Sequence, residues 1–340
     1  MSKINKVKEI LNKWCRISFI NHYLKTIAYL VFKNKYPYKW GEINEIQTEF
    51  KSNQKKIVYI CDGLKNHGGL SDRFKGLLTT FSEAKRLKLP FYIYWTSPFQ
   101  LSDFLIPASK IDWRINSKHI HYNYKYSFPF ILDISPVHYK NVIKKYLFRY
   151  CLKDKRDILV YSNLMHEKKN ISALFHELFK PSDYLKENID KYLNDIGTSY
   201  YSYTFRFGNL LGDFTDIVGH PLINKDKNEL IEHNLEELKQ LLENLPETHK
   251  ALITSDSFYF LQKVKKLDRR ICLVEKELMH IDFYDNNKAT KEIWLKSFLD
   301  FFLIMRADKI FQLRTGEMYN SSFPSFAATI GRKEYVLHEF

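Results

Sequence analysis

Short continuous apolar runs alternate along the chain with longer stretches in which apolar positions recur every three or four residues. The first run is Ile57, Val58, Tyr59, Ile60 and Cys61. It is short and has no polar interruption, as expected of a parallel strand covered on both faces. From Leu70 the apolar positions Phe74, Leu77, Leu78, Phe81 and Ala84 fall at helical spacing. Between strand and helix lie Gly63 and His67-Gly68-Gly69, residues that let the backbone turn sharply and approach a ligand closely, with Ser71 or Asp72 as a helix cap. Strand, glycine loop and helix in this order predict a phosphate-facing loop, because helix N–H groups without an intrahelical partner meet an anion there. An ordinary strand-to-helix turn with no ligand is the alternative.

The alternation continues. After Pro90 the run Phe91 to Trp95 predicts a second buried strand, and Ser97-Pro98 starts a turn into Leu101 to Leu105. Residues 111 to 165 are rich in Tyr, His, Phe and Lys with weaker periodicity, and Asp157 to Tyr161 predicts a further strand. Pro181 to Ile196 reads as a helix bridging to the second half, with a boundary near 175 to 200. There the pattern predicts a strand at Tyr200 to Phe207, a helix at Glu229 to Leu245, a strand at His249 to Thr254 and a helix from Asp256 or Ser257 to about Lys265. Ile271 to Glu275, Trp294 to Met305, Lys309 to Leu313 and Ser322 to Ile330 follow as strand, helix, strand and helix. Four such units imply a doubly wound, mostly parallel sheet. The expected fold class is α/β: two Rossmann-like doubly wound domains, at 51–180 and 195–340, facing across a cleft at their strand carboxyl ends, where ligands bind. A basic amphipathic helical segment, 1–50, precedes them.

Composition agrees with a folded two-domain protein. The 340 residues exceed the usual size of a single core, 45% are hydrophobic, and the 11 Gly and 10 Pro are too few for a fibrous or disordered chain. The net charge of +14 suits an anionic partner: nucleic acid, an acidic membrane surface or a phosphorylated substrate. Abundant Lys, Asn, Ile and Tyr hint at an AT-rich genome, which would supply part of that charge without function. Cys15, Cys61, Cys151 and Cys272 are far apart and form no pair of metal-ligand spacing, so reduced thiols are expected. The N-terminal apolar positions are interrupted by charges and lack a small-residue cleavage site, so a cytoplasmic location without signal peptide is expected. No apolar run reaches the roughly 18 to 20 residues that span a bilayer. Ile4, Val7, Ile10, Leu11, Trp14, Ile17 and Leu24, set among Lys3, Lys6, Lys8, Lys13, Arg16 and Lys25, form a basic amphipathic pattern. It suits peripheral attachment to an acidic membrane or packing on the body of the protein.

Candidate chemistry sits after strands of the second half. Arg206, Asn209 and Asp213 follow the first of them; an Arg there offers a fixed fork of donors matched to phosphate, or a salt-bridged rim residue. Thr254-Ser255-Asp256-Ser257 leads into a helix and suits a ribose, a base edge, a phosphate or plain helix capping. Near the end, Gly316 loosens a turn, Asn320, Ser321 and Ser322 cluster at another helix start, and Ala327-Ala328 suit close packing on a sheet.

This pattern resembles the GT-B fold glycosyltransferases that use a GDP-sugar, especially the fucosyltransferase-like group. The corresponding residues are Gly68-Gly69-Leu70-Ser71-Asp72-Arg73, then Arg206, then Ser255-Asp256-Ser257, then Ser321-Ser322-Phe323-Pro324-Ser325-Phe326-Ala327-Ala328, in matching order over roughly residues 56 to 331. Two departures stand out: Asn209 occupies the place of an acid that arrives only at Asp213, and Pro324 stands where the family has Ser. The resemblance implies sugar transfer without a metal or cofactor, from a GDP-sugar held by the C-terminal domain to a glycan or lipid-linked glycan acceptor held by the N-terminal one. It implies Arg206 on the leaving diphosphate and Gly68, Gly69, Arg73, Asn209, Ser255, Asp256, Ser257, Asn320, Ser321, Ser322 and Ser325 around the donor. His67, Asp72 and Asp213 are the candidates for a general base.

Two other classes compete. A nucleic-acid-binding protein is suggested by the charge and the 23 tyrosines, but these are dispersed and no recognised binding module is present. A glycan-binding protein with an inactive site would bind nucleotide without turnover.

Overall fold

The computed structural model describes residues 55–64, 66–122, 126–132, 155–163, 165, 170–216, 219–282, 284 and 289–340. The amphipathic segment expected at 1–50 lies outside the described residues. In chain order the strands are β1 (Ile57–Cys61), β2 (Phe91–Trp95), β3 (Leu105–Pro107), β4 (Ser127–Leu132), β5 (Asp157–Ser162), β6 (Phe179–Pro181), β7 (Tyr200–Phe205), β8 (Lys250–Ser255), β9 (Ile271–Leu273), β10 (Lys309–Arg314) and β11 (Glu334–Glu339). The described α-helices are α1 (Leu70–Leu87), α2 (Ile171–Leu178), α3 (Asp183–Ile196), α4 (Asn224–Glu243), α5 (Phe258–Val264), α6 (Lys291–Arg306) and α7 (Ser322–Gly331).

Contacts divide the chain into two units. The first comprises the described parts of Met1–His67, Arg73–Trp95 and Asp112–Lys168; the second comprises those of Gly68–Asp72, Thr96–Ile111 and Lys169–Phe340. The first turn of α1 is thus grouped with the second unit and the rest of the helix with the first.

In the first unit a parallel sheet runs in the order β2-β1-β5-β4. All five residues of β1 are buried, as its unbroken apolar run requires. Helix α1 lies hard against the end of β5: a Cβ added at Gly76 would stand 1.9 Å from the Ser162 carbonyl oxygen. Only glycine permits that approach.

The second unit carries a five-stranded sheet, order β11-β10-β7-β8-β9, with every pair parallel. Chain order runs outward from β7 to β9 and then returns to β10 on the other side of β7. The switch of direction therefore falls between β7 and β10, and ligands in open α/β sheets bind outside the strand carboxyl ends at such a point. Helix α6 is buried almost throughout, in keeping with its apolar run. Its Phe298 stacks on Phe104 at 4.3 Å between ring centroids, and its Phe301 meets Phe326 of α7. A two-stranded antiparallel ribbon, β3 with β6, completes this unit.

The strongly patterned elements form where the sequence predicts them. Five others were not anticipated: β3, β4, α2, β6 and β11. β4 contains Pro129, which argues against a strand. β11 is an edge strand with no fully buried residue, so it lacks an apolar run.

Candidate functional site

β7 delivers Arg206 to the switch point of the second unit. Its guanidinium lies against the Asp216 carboxylate, 3.3 Å from that of Asp256 and over the ring of Phe214 at 4.6 Å. Asp256, at the carboxyl end of β8, also accepts the backbone N–H groups of Phe207 (2.9 Å) and Gly208 (2.7 Å). Asn209 closes the loop: its amide oxygen accepts the Asp216 N–H (2.9 Å), and its NH2 donates to the carbonyls of Asp216 and Gly219. The Arg206 side chain retains 18% of its exposure, so it is fixed yet reachable. Burial pushes the Asp256 carboxyl up, while Arg206 and the two backbone N–H groups pull it down.

β10 delivers the other side of the switch point. Arg314 Nε donates to the Met318 carbonyl (2.8 Å), and the Tyr319 N–H donates to the Arg206 carbonyl (3.1 Å), which ties the two strand ends together. Buried Gln312 faces the Ser321 main chain, with its amide oxygen on the N–H at 2.8 Å and its NH2 on the carbonyl at 2.7 Å. Ser321 caps α7 by accepting the Phe323 N–H (3.2 Å), and Ser325 turns its hydroxyl back onto the Ser322 carbonyl (3.1 Å). Asn320 is exposed beside them. The turn that leads into α7 is thus bonded to the Arg206 main chain.

The residues after β8 are largely committed to the fold. Ser257 caps α5 by accepting the Phe260 N–H (3.1 Å) and donates its own hydroxyl to Asp213 (2.8 Å). Asp213 also accepts the Tyr259 N–H (2.9 Å), and the Ser255 hydroxyl accepts the Ser257 N–H (3.1 Å). Asp213, expected as a candidate base, is therefore held as a helix cap, and Ser255 and Ser257 are buried within the turn.

The glycine loop also differs from the expected phosphate cradle. Gly68 is left-handed (φ +80°), its N–H donates to the Asp282 carboxylate at 2.5 Å, and a Cβ at that position would stand 3.3 Å from Asp72 Oδ2. Two carboxylates flanking one glycine repel a phosphate. Gly69 is different: a Cβ added there meets no atom within 4 Å.

Arg73 is 1% exposed in the core of the first unit, where Nη1 lies 2.8 Å from Cys61 Sγ and the guanidinium covers Trp95 at 5.3 Å. That burial takes it away from the donor-binding role expected of it. His67, also in the first unit, is 4% exposed; its Nε2 is 3.8 Å from Asp62 Oδ1 and its ring stacks on Tyr161. Asp62 accepts the hydroxyls of Tyr122 (2.8 Å) and Tyr161 (2.9 Å) and the Leu64 N–H (3.0 Å). Burial alone would raise its carboxyl, but the nearby His67 imidazole and the hydrogen bonds of Leu64 and Tyr122 hold it below the ordinary range.

Sequence reasoning missed Asp62, Asp216, Phe214, Asp282 and Tyr319. Asp62 directly follows a buried strand, a position that favours function; the others depend on loop closure, which no local pattern encodes. Among the described residues no group of three or more His, Cys, Asp or Glu is placed to hold a metal ion, and no helix is long and apolar enough to cross a membrane.

No family model and no curated protein matches the chain. Solved structures do. The NodZ α-1,6-fucosyltransferase co-crystallised with GDP shares 14% identity over 81% of this chain and 92% of its own, with a TM-score of 0.53. The fold is fucosyltransferase-like. The same enzyme soaked with GDP-fucose matches at 14% identity, 82% of this chain, 93% of its own and TM-score 0.53. Selenomethionyl NodZ from Bradyrhizobium matches at 15%, 81%, 91% and 0.53. The GT-B class of fold expected from the four ordered motifs is therefore the one found.

Proposed function

We propose that this chain is a glycosyltransferase that moves a fucose-like deoxyhexose, or a hexose, from a GDP-sugar to a hydroxyl of a glycan, without a metal. The observation that carries the reading is Arg206, fixed at the switch point of the second unit with its main chain bonded to the turn that leads into α7, in a fold shared with an enzyme soaked with GDP-fucose. When the bond between sugar and diphosphate breaks, its electron pair passes to the β-phosphate oxygen. A guanidinium that cannot lose its charge, and the positive end of the α7 dipole, stabilise the charge that develops. Asp256 keeps Arg206 aimed, and Asn320 and Ser325 border the phosphates. The nucleoside lies toward Ser255 and Ser257, whose own hydroxyls shape the turn.

The acceptor fits a cell-surface glycan of a bacterium, such as capsule, lipopolysaccharide or exopolysaccharide, free or lipid-linked, bound by the N-terminal domain. The basic pattern of residues 1–50 suits peripheral contact with acidic lipids on the cytoplasmic face of the membrane. Of the three candidate bases, His67 has a carboxylate behind it, in Asp62.

Thermal unfolding with GDP, UDP, CMP and ADP, each with and without Mg²⁺, tests the reading. A ligand at one hundred times its dissociation constant stabilises by about 2.7 kcal/mol, a visible shift. A shift with GDP alone, indifferent to Mg²⁺, is expected. Absence of a GDP shift, or a metal-dependent shift with UDP, overturns it.

A further inference from the structure

We propose that Gln312 and Arg314 are positioning residues for Arg206: they clamp the turn that follows β10, and that turn holds the Arg206 peptide in the orientation that aims the guanidinium at the diphosphate. The proposal rests on the GDP-sugar reading above and deepens it. All the residues it uses belong to the second unit.

The peptide between Arg206 and Phe207 is held from two sides. Its carbonyl accepts the Tyr319 N–H at 3.1 Å, and its own N–H, that of Phe207, donates to Asp256 at 2.9 Å. A peptide group is planar and its C=O and N–H point in opposite directions, so these two bonds fix its orientation and with it ψ of Arg206. Without either bond the plane is free to turn between its two Cα atoms. Asp256 follows β8, whereas the Tyr319 N–H belongs to the turn between β10 and α7. The hold on the carbonyl is therefore only as firm as that turn.

β10 clamps the turn on both sides of Tyr319. Arg314 Nε donates to the carbonyl of Met318 (2.8 Å), and Gln312 bonds both the N–H (2.8 Å) and the carbonyl (2.7 Å) of Ser321. Two apart on one strand, Gln312 and Arg314 face the same side of the sheet. The Gln312 position is informative. β10 lies between β7 and β11, Ile310 and Leu313 on the same strand are buried, and Gln312 itself is 0% exposed. A carboxamide there costs free energy unless its polar atoms are bonded. Each of them is: the oxygen takes the Ser321 N–H, and the NH2 serves the Ser321 carbonyl and the Tyr335 hydroxyl (2.7 Å). An apolar side chain or an ionised carboxylate could not serve a donor and an acceptor on one residue. The pairing of β10 with β7 and β11 is made by main-chain groups and has no use for this side chain. What the side chain fixes is the turn that carries the Tyr319 N–H.

The test is isothermal titration of the full chain with GDP and with GMP, which lacks the phosphate on which the leaving charge develops. The variants are Gln312→Leu and Arg314→Lys, each alone and combined with Arg206→Lys. The wild type is expected to bind GDP more tightly than GMP. Gln312→Leu should lower that preference about tenfold and Arg314→Lys about threefold. In the Arg206→Lys background both effects should shrink below about twofold, because residues that act through one another are not additive. A merely structural role would lower GDP and GMP affinity together and in either background; that result overturns the proposal. So does an unchanged preference in either variant that folds, or a wild type that binds GDP without preferring it to GMP. A wild type that does not bind GDP removes the GDP-sugar reading itself, and this proposal with it, a failure visible before any variant is made. The Arg314 side chain is 31% exposed and pairs with Glu339 at 2.7 Å, a pairing open to lysine. Arg314→Lys therefore decides the matter should Gln312→Leu lose its fold.

Discussion

Asp256 restrains Arg206 by two routes at once: its carboxylate lies 3.3 Å from the guanidinium and also accepts the N–H groups of the next two residues, Phe207 and Gly208. One buried side chain thereby sets both the position of the cation and the path of the backbone that carries it. Asp256→Ala leaves two buried donors and an incompletely paired guanidinium, so it is expected to cost about 3–5 kcal/mol of stability. Asp256→Asn keeps an acceptor oxygen and should cost less. Urea unfolding measures both, and a wild-type midpoint in the alanine variant would contradict the role.

Arg206→Lys isolates the fork from the charge. A lysine still faces Asp216 and Asp256, so the variant should remain folded. It cannot present several donors in one plane or cover Phe214 in the same way. Loss of one preorganised donor at a developing oxyanion typically costs about 10²–10³ in rate. The expected result is a fall of that size in the rate of GDP release from a GDP-sugar, with an unfolding midpoint close to wild type. An unchanged rate would remove Arg206 from the leaving-group role.

Two glycines, nine and two residues beyond His67, make a paired test: Gly76 and Gly69 occupy the same loop-helix segment but meet opposite surroundings. A Cβ at Gly76 would lie 1.9 Å from the Ser162 carbonyl oxygen, whereas one at Gly69 has nothing within 4 Å. Gly76→Ala therefore forces α1 away from β5 and should cost several kcal/mol, on the order of the overpacking penalties of cores. Gly69→Ala should leave the unfolding midpoint within about 0.5 kcal/mol of wild type. Thermal melts of the two variants side by side decide it; equal destabilisation would contradict the packing described.

The fold was legible because its buried strands are short unbroken apolar runs and most of its helices carry an apolar stripe. The motif positions were legible too, since Arg206, Asp256 and Ser321 all follow strands. Their roles were not. Ser257 and Asp213 read as ligand groups, yet they satisfy the first turn of α5; Arg73 follows the glycine loop, yet it points into a core against Trp95. Residue type and spacing report where a polar group lies along the chain, while whether it faces a ligand or a backbone N–H depends on loop closure. The Asp216 and Asp282 contacts, reached across ten and 214 residues, carry no local signal at all.

Asp62 gives the protein a defined acid response. In the folded chain burial works to raise its carboxyl, but the nearby His67 imidazole and the hydrogen bonds from Leu64 and Tyr122 outweigh burial and hold it below the ordinary carboxylate range. In the unfolded chain it titrates near 3.9. Above that value both states are ionised and the stabilisation is complete. As pH falls from about 5 through the depressed folded value, the unfolded chain takes up its proton first and the stabilisation is lost. The Tyr122 and Tyr161 hydroxyls that face Asp62 are both pushed up, by burial first and by its charge, so they stay protonated throughout this range. Asp62→Asn keeps an oxygen for these donors but cannot titrate. Its unfolding midpoint should start lower than wild type at pH 7 and fall less steeply below about pH 4, so that the two curves converge in acid. Parallel curves from pH 7 to pH 3 would show that Asp62 carries no such linkage.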